Sequence, residues 1–287
     1  MNTPDITVES VQSSGSTVSE GAVTITKPTG LAVGDLLVVT LVFGQNDSTP
    51  TPSGWTVIRN NSVDLGTDGD VAAFYKVADS GDVAASNFSF DVTDTTGNIA
   101  GSLYRISGYN SSNVVGNFDS GFDSTSGTSR SHTISLTPAQ ADSVLIALVV
   151  SDATNTFSSP SSTGSPTWTE VQDTQESGFP YAFWTGYASY DSVTEITNFS
   201  ITTSSSTSRS DVLIFEIRTA VSSDTTPTFV TTGNTAFTPT GSAGASGTVG
   251  FAETVNTKFD PAGRGSTLAS EDNIAKNTAT GVDNVSK

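Results

Sequence analysis

The apolar residues of this chain fall into short runs separated by Ser, Thr, Gly, Asp and Pro, and their dominant spacing is two. Phe88, Phe90 and Val92 alternate with Ser89 and Asp91, which places one set of side chains on a buried face and the other toward water. Tyr104 and Ile106 flank Arg105 in the same way, and Phe215 and Ile217 flank Glu216. Two runs break the alternation: Leu36 to Phe43 and Val144 to Val150 are apolar almost throughout. Such runs are expected of central strands covered on both faces, and their β-branched content favours strand over a short buried helix. The pattern predicts strands over 5–11, 21–27, 35–43, 55–63, 70–78, 86–92 and 99–107. A second series follows at 113–118, 131–136, 143–151, 167–173, 180–189, 196–203 and 210–219. Turn-forming clusters separate the strands, among them Pro28-Thr29-Gly30, Thr49 to Gly54, Asp68-Gly69-Asp70 and Ser158-Ser159-Pro160. No segment carries the period of an amphipathic helix.

The large apolar residues also recur in order. Leu36 to Val42, Gly54-Trp55-Thr56, Ala73-Phe74-Tyr75, Asn87-Phe88-Ser89-Phe90 and Leu103-Tyr104-Arg105-Ile106 form the first series. Val144 to Val150, Thr167-Trp168-Thr169, Ala182-Phe183-Trp184, Asn198-Phe199-Ser200-Ile201 and Ile214-Phe215-Glu216-Ile217 answer it. A repeat of this length suits a whole β-sandwich, or half of a larger one, rather than a solenoid unit. The expected fold is all-β: two tandem pseudo-repeated antiparallel units of β-sandwich or jelly-roll type, separate or fused into one larger sandwich, with an extended C-terminal arm. The expected boundaries are 1–110, 111–220 and 221–287.

Composition narrows the chemistry. With 29 acidic against 11 basic residues the formal charge is −18, which disfavours direct binding of nucleic acid phosphates or anionic lipid. Only six of the 29 acidic and four of the 11 basic residues lie beyond residue 220, so the charge belongs to the body. The chain has no Cys, which excludes disulfides, thiolate metal sites and cysteine nucleophiles. Its first ten residues carry Asp5 and Glu9 and neither a basic nor an apolar signal region, so no ordinary secretory signal peptide is expected. The longest apolar runs fall far short of the roughly 20 residues that cross a bilayer, so no membrane insertion is expected. The segment after residue 220 has few large side chains and alone could not bury enough surface to offset its ordering entropy. Phe229, Phe237, Phe251 and Phe259 are its candidate anchors for folding on a partner; the alternative is an arm packed on its own body.

Few residues offer catalytic chemistry. The single histidine, His132, lies in a polar stretch without a Gly-x-Ser-x-Gly elbow, and no catalytic role is expected of it. Carboxylate pairs such as Asp119 with Asp123, or Asp91 with Asp94, could serve a glycosidase, but in so acidic a chain they are expected in solvated loops. Asp64, Asp68 and Asp70, set among glycines, are candidate calcium ligands, and an Asp/Gly hairpin turn explains them equally. Trp184 and Tyr187 are candidate glycan-stacking residues of a carbohydrate-binding or adhesive module. Trp55 and Trp168, at matched positions after turns, are expected to share a packing role.

Pro52-Ser53-Gly54-Trp55-Thr56, Phe74-Tyr75-Lys76-Val77-Ala78, Phe88-Ser89-Phe90 and Tyr104-Arg105-Ile106-Ser107-Gly108 together resemble β-sandwich virion structural proteins of tailed bacteriophages. In that group a Pro-Gly-Trp-Thr turn recurs ahead of an aromatic Lys-x-Ala strand. The resemblance spans about residues 5–220 and departs in the second series, where Thr167 answers Gly54 and Glu170 answers Val57. It implies a non-enzymatic virion protein, decorating the head or the tail surface, with partners such as the major capsid protein or tail proteins. It also implies a homo-oligomer, trimers being common in the group. On this expectation the C-terminal arm anchors the protein to the particle, and no cofactor is required.

Overall fold

The structure, a computed structural model, describes residues 6–16, 22–43, 52–61, 70–91, 99–152, 155–174, 181–220, 258–259 and 266–267. Its first half comprises β1 (Thr7–Ser16), β2 (Ala22–Thr26), β3 (Leu36–Phe43), β4 (Thr56–Asn61), β5 (Asp70–Val77), a short helix α1 (Ser80–Ala84), β6 (Asn87–Asp91) and β7 (Ile99–Ser107). The second half comprises β8 (Val115–Asp123), β9 (Gly127–Leu136), β10 (Ser143–Ser151), β11 (Phe157–Ser162), β12 (Thr169–Thr174), β13 (Ala182–Tyr190), β14 (Ile196–Thr207) and β15 (Ser210–Ile217). The fold is all-β and its sheets are antiparallel.

One five-stranded sheet has the order β1-β7-β3-β5-β4, and the other has β8-β15-β10-β13-β12. With β11 left out of the count, the two arrangements match in chain order within each half. A β2-β6 ribbon belongs to the first half and a β11-β14-β9 sheet to the second. Alternation along β3 explains the layering: Leu36, Val38 and Val42 enter one core, whereas Leu37, Val39, Leu41 and Phe43 enter another. The first core also contains Val144, Ile146, Leu148 and Val150 of β10, so the two five-stranded sheets pack face to face. The opposite face of β3 is covered by Val23, Ile25, Phe88 and Phe90 of the ribbon. The opposite face of β10 is covered by Ile134, Phe199 and Ile201 of β9 and β14. Four layers therefore enclose three cores, and every residue of β3 and β10 is buried. Full burial of each Leu, Ile or Val side chain is worth about 1.5–3 kcal/mol, which is why these strands tolerate no polar alternation.

Of the two arrangements the sequence leaves open, the structure has the fused one. Residues Asn2–Val221 make a single compact unit, and the expected boundary at 110 falls inside it. Tyr109 bridges Thr219, and the Asn110 and Ala220 N–H groups donate to Arg218 and Gly108 carbonyls at 2.7 Å. The Arg59 guanidinium of β4 lies 5.3 Å over the Phe118 ring of β8, while Ser102 of β7 donates to Gln172 of β12 at 2.7 Å. The two sheets thus face each other with opposed strand order, the relation that subunits of an isologous dimer have. Beyond the body, β16 (Lys258–Phe259) pairs with β17 (Ser266–Thr267).

Three expectations change. Ser158-Ser159-Pro160 is not a turn but part of β11, whose pairing with β14 is interrupted between Ser158 and Ser161. An edge strand with an irregularity is where a proline's missing N–H is tolerated. Residues 80–84 form a helix too short to show a period, held by a reciprocal cap between Asp79 and Asp82. Finally, Ala182-Phe183-Trp184 does not stand where Ala73-Phe74-Tyr75 does. Val38 pairs with Tyr75 and Ile146 with Tyr187, so Tyr187 holds the position of Tyr75, and Gly186 that of Phe74. The Trp184 ring lies across Gly186, where a Cβ would come within 2.5 Å of it. Aromatic volume supplied by Phe74 in one half comes from Trp184 in the other.

Candidate functional site

The second half carries polar groups where the first is apolar. Along β9, Arg130, His132, Ile134 and Leu136 are buried while the residues between them are exposed, so the strand alternates normally but begins its inward face with two cationic residue types. His132 pairs with Phe199 and Arg130 with Ile201. In the first half Ile25 pairs with Phe88 and Val23 with Phe90. Ser151 pairs with Ser210 where Phe43 pairs with Ile99. One end of the outer core is thus apolar in the first half and a closed polar network in the second.

Its bonds engage Arg130, Asp123, His132 and Ser210. Arg130 Nε donates to Ser210 Oγ at 2.9 Å, Nη2 to the Asp123 carbonyl at 2.5 Å, and Nη1 to the Thr125 and Thr207 carbonyls. The Asp123 carboxylate stands 3.5 Å from Nη2 and accepts the Thr125 and Ser131 N–H groups at 2.8 and 2.9 Å. Burial would raise the Asp123 carboxyl, but those N–H groups and Arg130 outweigh it and hold it below the usual carboxylate range. His132 Nδ1 lies 3.3 Å from the Phe199 carbonyl and Nε2 lies 2.9 Å from Ser210 Oγ. A carbonyl only accepts, so Nδ1 carries the proton and Nε2 receives the Ser210 hydroxyl, whose oxygen receives Arg130. Burial pushes His132 down to about 4, against the opposing pull of the Phe199 carbonyl and Asp123. Ser210 and His132 stand like the nucleophile and base of a triad. Both are fully buried, however, and a backbone carbonyl fills the third place.

Two further charged groups fasten loops from matching positions. Arg105 and Glu216 pair with Leu37 and Leu145 on the central strands. Arg105 reaches Asp35 at 2.6 Å and the Thr29 carbonyl at 3.1 Å. Glu216 accepts the N–H groups of Asn117, Ala139 and Gln140 at 3.1, 2.7 and 3.2 Å.

An open groove lies at one end of β12 and β13. It encloses about 460 Å³ and is lined by Ser165, Thr167, Thr169, Tyr187, Ser189 and Asp191, with Gly164, Pro166 and Tyr190 completing it. Tyr190 is buried and its hydroxyl donates to the Thr194 carbonyl at 3.0 Å. On the neighbouring stretch of β12, burial raises the Asp173 carboxyl, the Phe157 N–H opposes this, and Glu170 adds to it.

The candidate glycan residues separate. Tyr187 lines the groove, but Trp184 is fully buried and its indole N–H donates to Glu170 at 3.0 Å, so it offers no ring face to a sugar. The volume needed over Gly186 is what draws it inward. Trp55 and Trp168 pack alike: Trp55 lies edge-on to Phe88 at 6.2 Å and Phe90 at 5.3 Å, and Trp168 edge-on to Phe199 at 5.4 Å. Asp119 accepts the Ser135 N–H at 2.5 Å and Asp123 is locked to Arg130, so both brace strands instead of lying free in solvated loops. Asp64, Asp68 and Asp94 lie outside the described residues, and of Asp70 the backbone alone is described, in β5. Among the described residues no group of His, Asp and Glu is arranged to hold a metal ion. Phe229, Phe237 and Phe251 also lie outside, while the Phe259 backbone pairs with Ser266. No helix among the described residues is long and apolar enough to cross a membrane.

The Arg130 network left a trace in the sequence that reading His132 alone misses. Arg130-Ser131-His132-Thr133-Ile134-Ser135-Leu136 is one unbroken period-two run, and its apolar end places Arg130 and His132 inside. The groove left only Tyr187, because it depends on where the loop before Trp168 crosses the end of the sheet. In comparisons with family models, curated proteins and solved structures, nothing matches the chain.

Proposed function

We propose that this chain is a non-enzymatic structural protein of a tailed-bacteriophage virion, decorating the capsid or the tail surface and attached through residues 221–287. The observation that carries this reading is that three of the four motif segments that resemble such proteins, those of Trp55, Lys76 and Phe88, form one local unit. Pro52 accepts the Trp55 N–H at 3.2 Å across a turn whose Gly54 has φ 81°, a conformation that glycine adopts without strain. Trp55 then packs on Phe88 and Phe90. Lys76 reaches Asp82 at 2.7 Å and Asp79 at 3.4 Å, fastening the short helix beside the same turn. The non-enzymatic part is supported by the state of the reactive groups. The Ser210–His132 pair is sealed, and Glu216 is saturated by backbone N–H groups. A charge of −18 on a cysteine-free chain suits a surface displayed in many copies, because it opposes aggregation.

Deletion of residues 221–287 tests the attachment. The proposal expects the full chain to co-purify with particles at constant stoichiometry and the truncated body to remain folded but unincorporated. Normal occupancy by the truncated body would refute anchoring through that segment, and absence of the full chain from purified particles would refute the virion role. Sedimentation of the free protein tests the expected homo-oligomer.

A further inference from the structure

The groove at the end of β12 and β13 gathers several polar side chains on one concave surface. Around it hydroxyls are engaged: Tyr190 with the Thr194 carbonyl, Ser192 with Thr194, and Thr163 with the Thr197 N–H. Within it, the hydroxyls of Ser165, Thr167, Thr169, Tyr187 and Ser189 and the carboxylate of Asp191 make no hydrogen bond among the described residues. At the corresponding end of the first half the carboxylate is engaged. Ser189 pairs with Val144 as Val77 pairs with Leu36, so Asp191 stands two residues beyond its strand position as Asp79 does. Asp79 caps α1, accepting the Gly81 and Asp82 N–H groups at 2.7 and 3.0 Å. The second half has no helix there, and the equivalent carboxylate faces the groove.

The lining selects a ligand class. Among the described residues no Lys or Arg borders the groove, so an anion would find no counter-charge there on a body that is already acidic. The walls are too rich in hydroxyls for an acyl chain or an apolar peptide. One carboxylate without companion ligands does not hold a metal ion. What remains is a neutral ligand dense in hydroxyls. Asp191 accepts from two vicinal hydroxyls, the Ser and Thr side chains donate and accept, and the Tyr187 ring offers an apolar edge to sugar C–H groups. A volume of about 460 Å³ accommodates a mono- or disaccharide unit.

We propose that this groove is a binding site for a neutral saccharide unit. The proposal rests on the groove alone and is independent of attachment to a particle. The test applies the full chain to an array of neutral oligosaccharides built from glucose, galactose, mannose and N-acetylhexosamines, with sialylated and sulfated glycans as comparison. Hits are then titrated by calorimetry. Asp191→Ala and Ser189→Trp change exposed residues, and an unchanged melting temperature confirms that both variants fold. The expected result is binding of at least one neutral glycan, weakened about tenfold or more by Asp191→Ala and abolished by Ser189→Trp. Failure of every neutral glycan to bind, binding confined to charged glycans, or affinity within about twofold of the parent in both variants would overturn the proposal. Particle incorporation of Asp191→Ala is expected to be normal, so failure of the saccharide site and failure of the virion reading are separable.

Discussion

The two halves of the body share a strand order and differ in what fills the far end of their outer cores. In the first, Val23, Ile25, Phe43 and Ile99 close the end with apolar surface; in the second, Arg130, His132, Ser151 and Ser210 hold the matching pairing positions. The lesson concerns what a sandwich scaffold demands. Its layers require side chains that fill the space and give buried charged groups a partner, and two chemically opposite solutions meet that demand. The apolar solution tolerates single changes in proportion to volume. The polar solution is cooperative, so removing one member strands the others.

That difference sets the largest expected effect. Arg130→Ala leaves Asp123 and Ser210 buried without their cation and is expected to cost about 3–5 kcal/mol in chemical denaturation. Carrying the first half's residues across as Arg130→Val, His132→Ile and Ser210→Ile, with Asp123→Ser, is expected to recover most of that loss. A quadruple variant as unstable as the single one would show that the two ends are not interchangeable.

The second expected effect is on acid stability. His132 titrates near 4 in the folded protein against an ordinary value of 6.5, so between those values the unfolded chain binds more protons than the native one. Stability therefore falls as pH drops from about 6.5 to about 4, by up to about 3 kcal/mol for a shift of this size. His132→Gln is expected to flatten that part of the curve, as read by urea midpoints across the range. An unchanged slope would remove His132 from the account.

The smallest effect lies in the central core. The Tyr104 hydroxyl meets the Thr185 hydroxyl at 2.5 Å in a fully buried pair, and burial raises the Tyr104 phenol, with Thr185 opposing. The positions opposite them across the pseudo-two-fold relation hold Phe215 and Ala73, both in the same core. Tyr104→Phe is expected to cost about 1 kcal/mol, and Tyr104→Phe with Thr185→Ala less than the sum of the two single changes. Strict additivity in that cycle would deny the contact.

The strands, their order along the chain and the double-sided burial of β3 and β10 could be read from period and run length, because burial on both faces removes polar residues from a strand. Face-to-face fusion could not be read, since an apolar run says that both faces are covered and not by what. The register of β13 was misleading for a related reason: Trp184 and Phe74 fill equivalent space from positions two residues apart, and similarity of aromatic residues follows volume more closely than pairing. Of the candidate glycan residues, Tyr187 reaches the groove and Trp184 does not, because facing alternates along a strand. Asp191 was invisible as a site residue because its freedom comes from the helix that is missing after β13. Arg130 was hidden by its type, since cationic residues are buried only when fully partnered, and those partners lie on β8, β14 and β15.

Fusion of the two halves through one central core underlies all these comparisons, and native-state hydrogen exchange across β3 and β10 tests it most directly. The backbone N–H groups of Val38 to Val42 and of Ile146 to Val150 sit on strands that share that core. They are expected to exchange through one global opening, with the same free energy and the same dependence on denaturant. Protection of one strand persisting at denaturant concentrations where the other has opened would contradict the account, because each half would then be stable without its partner's face.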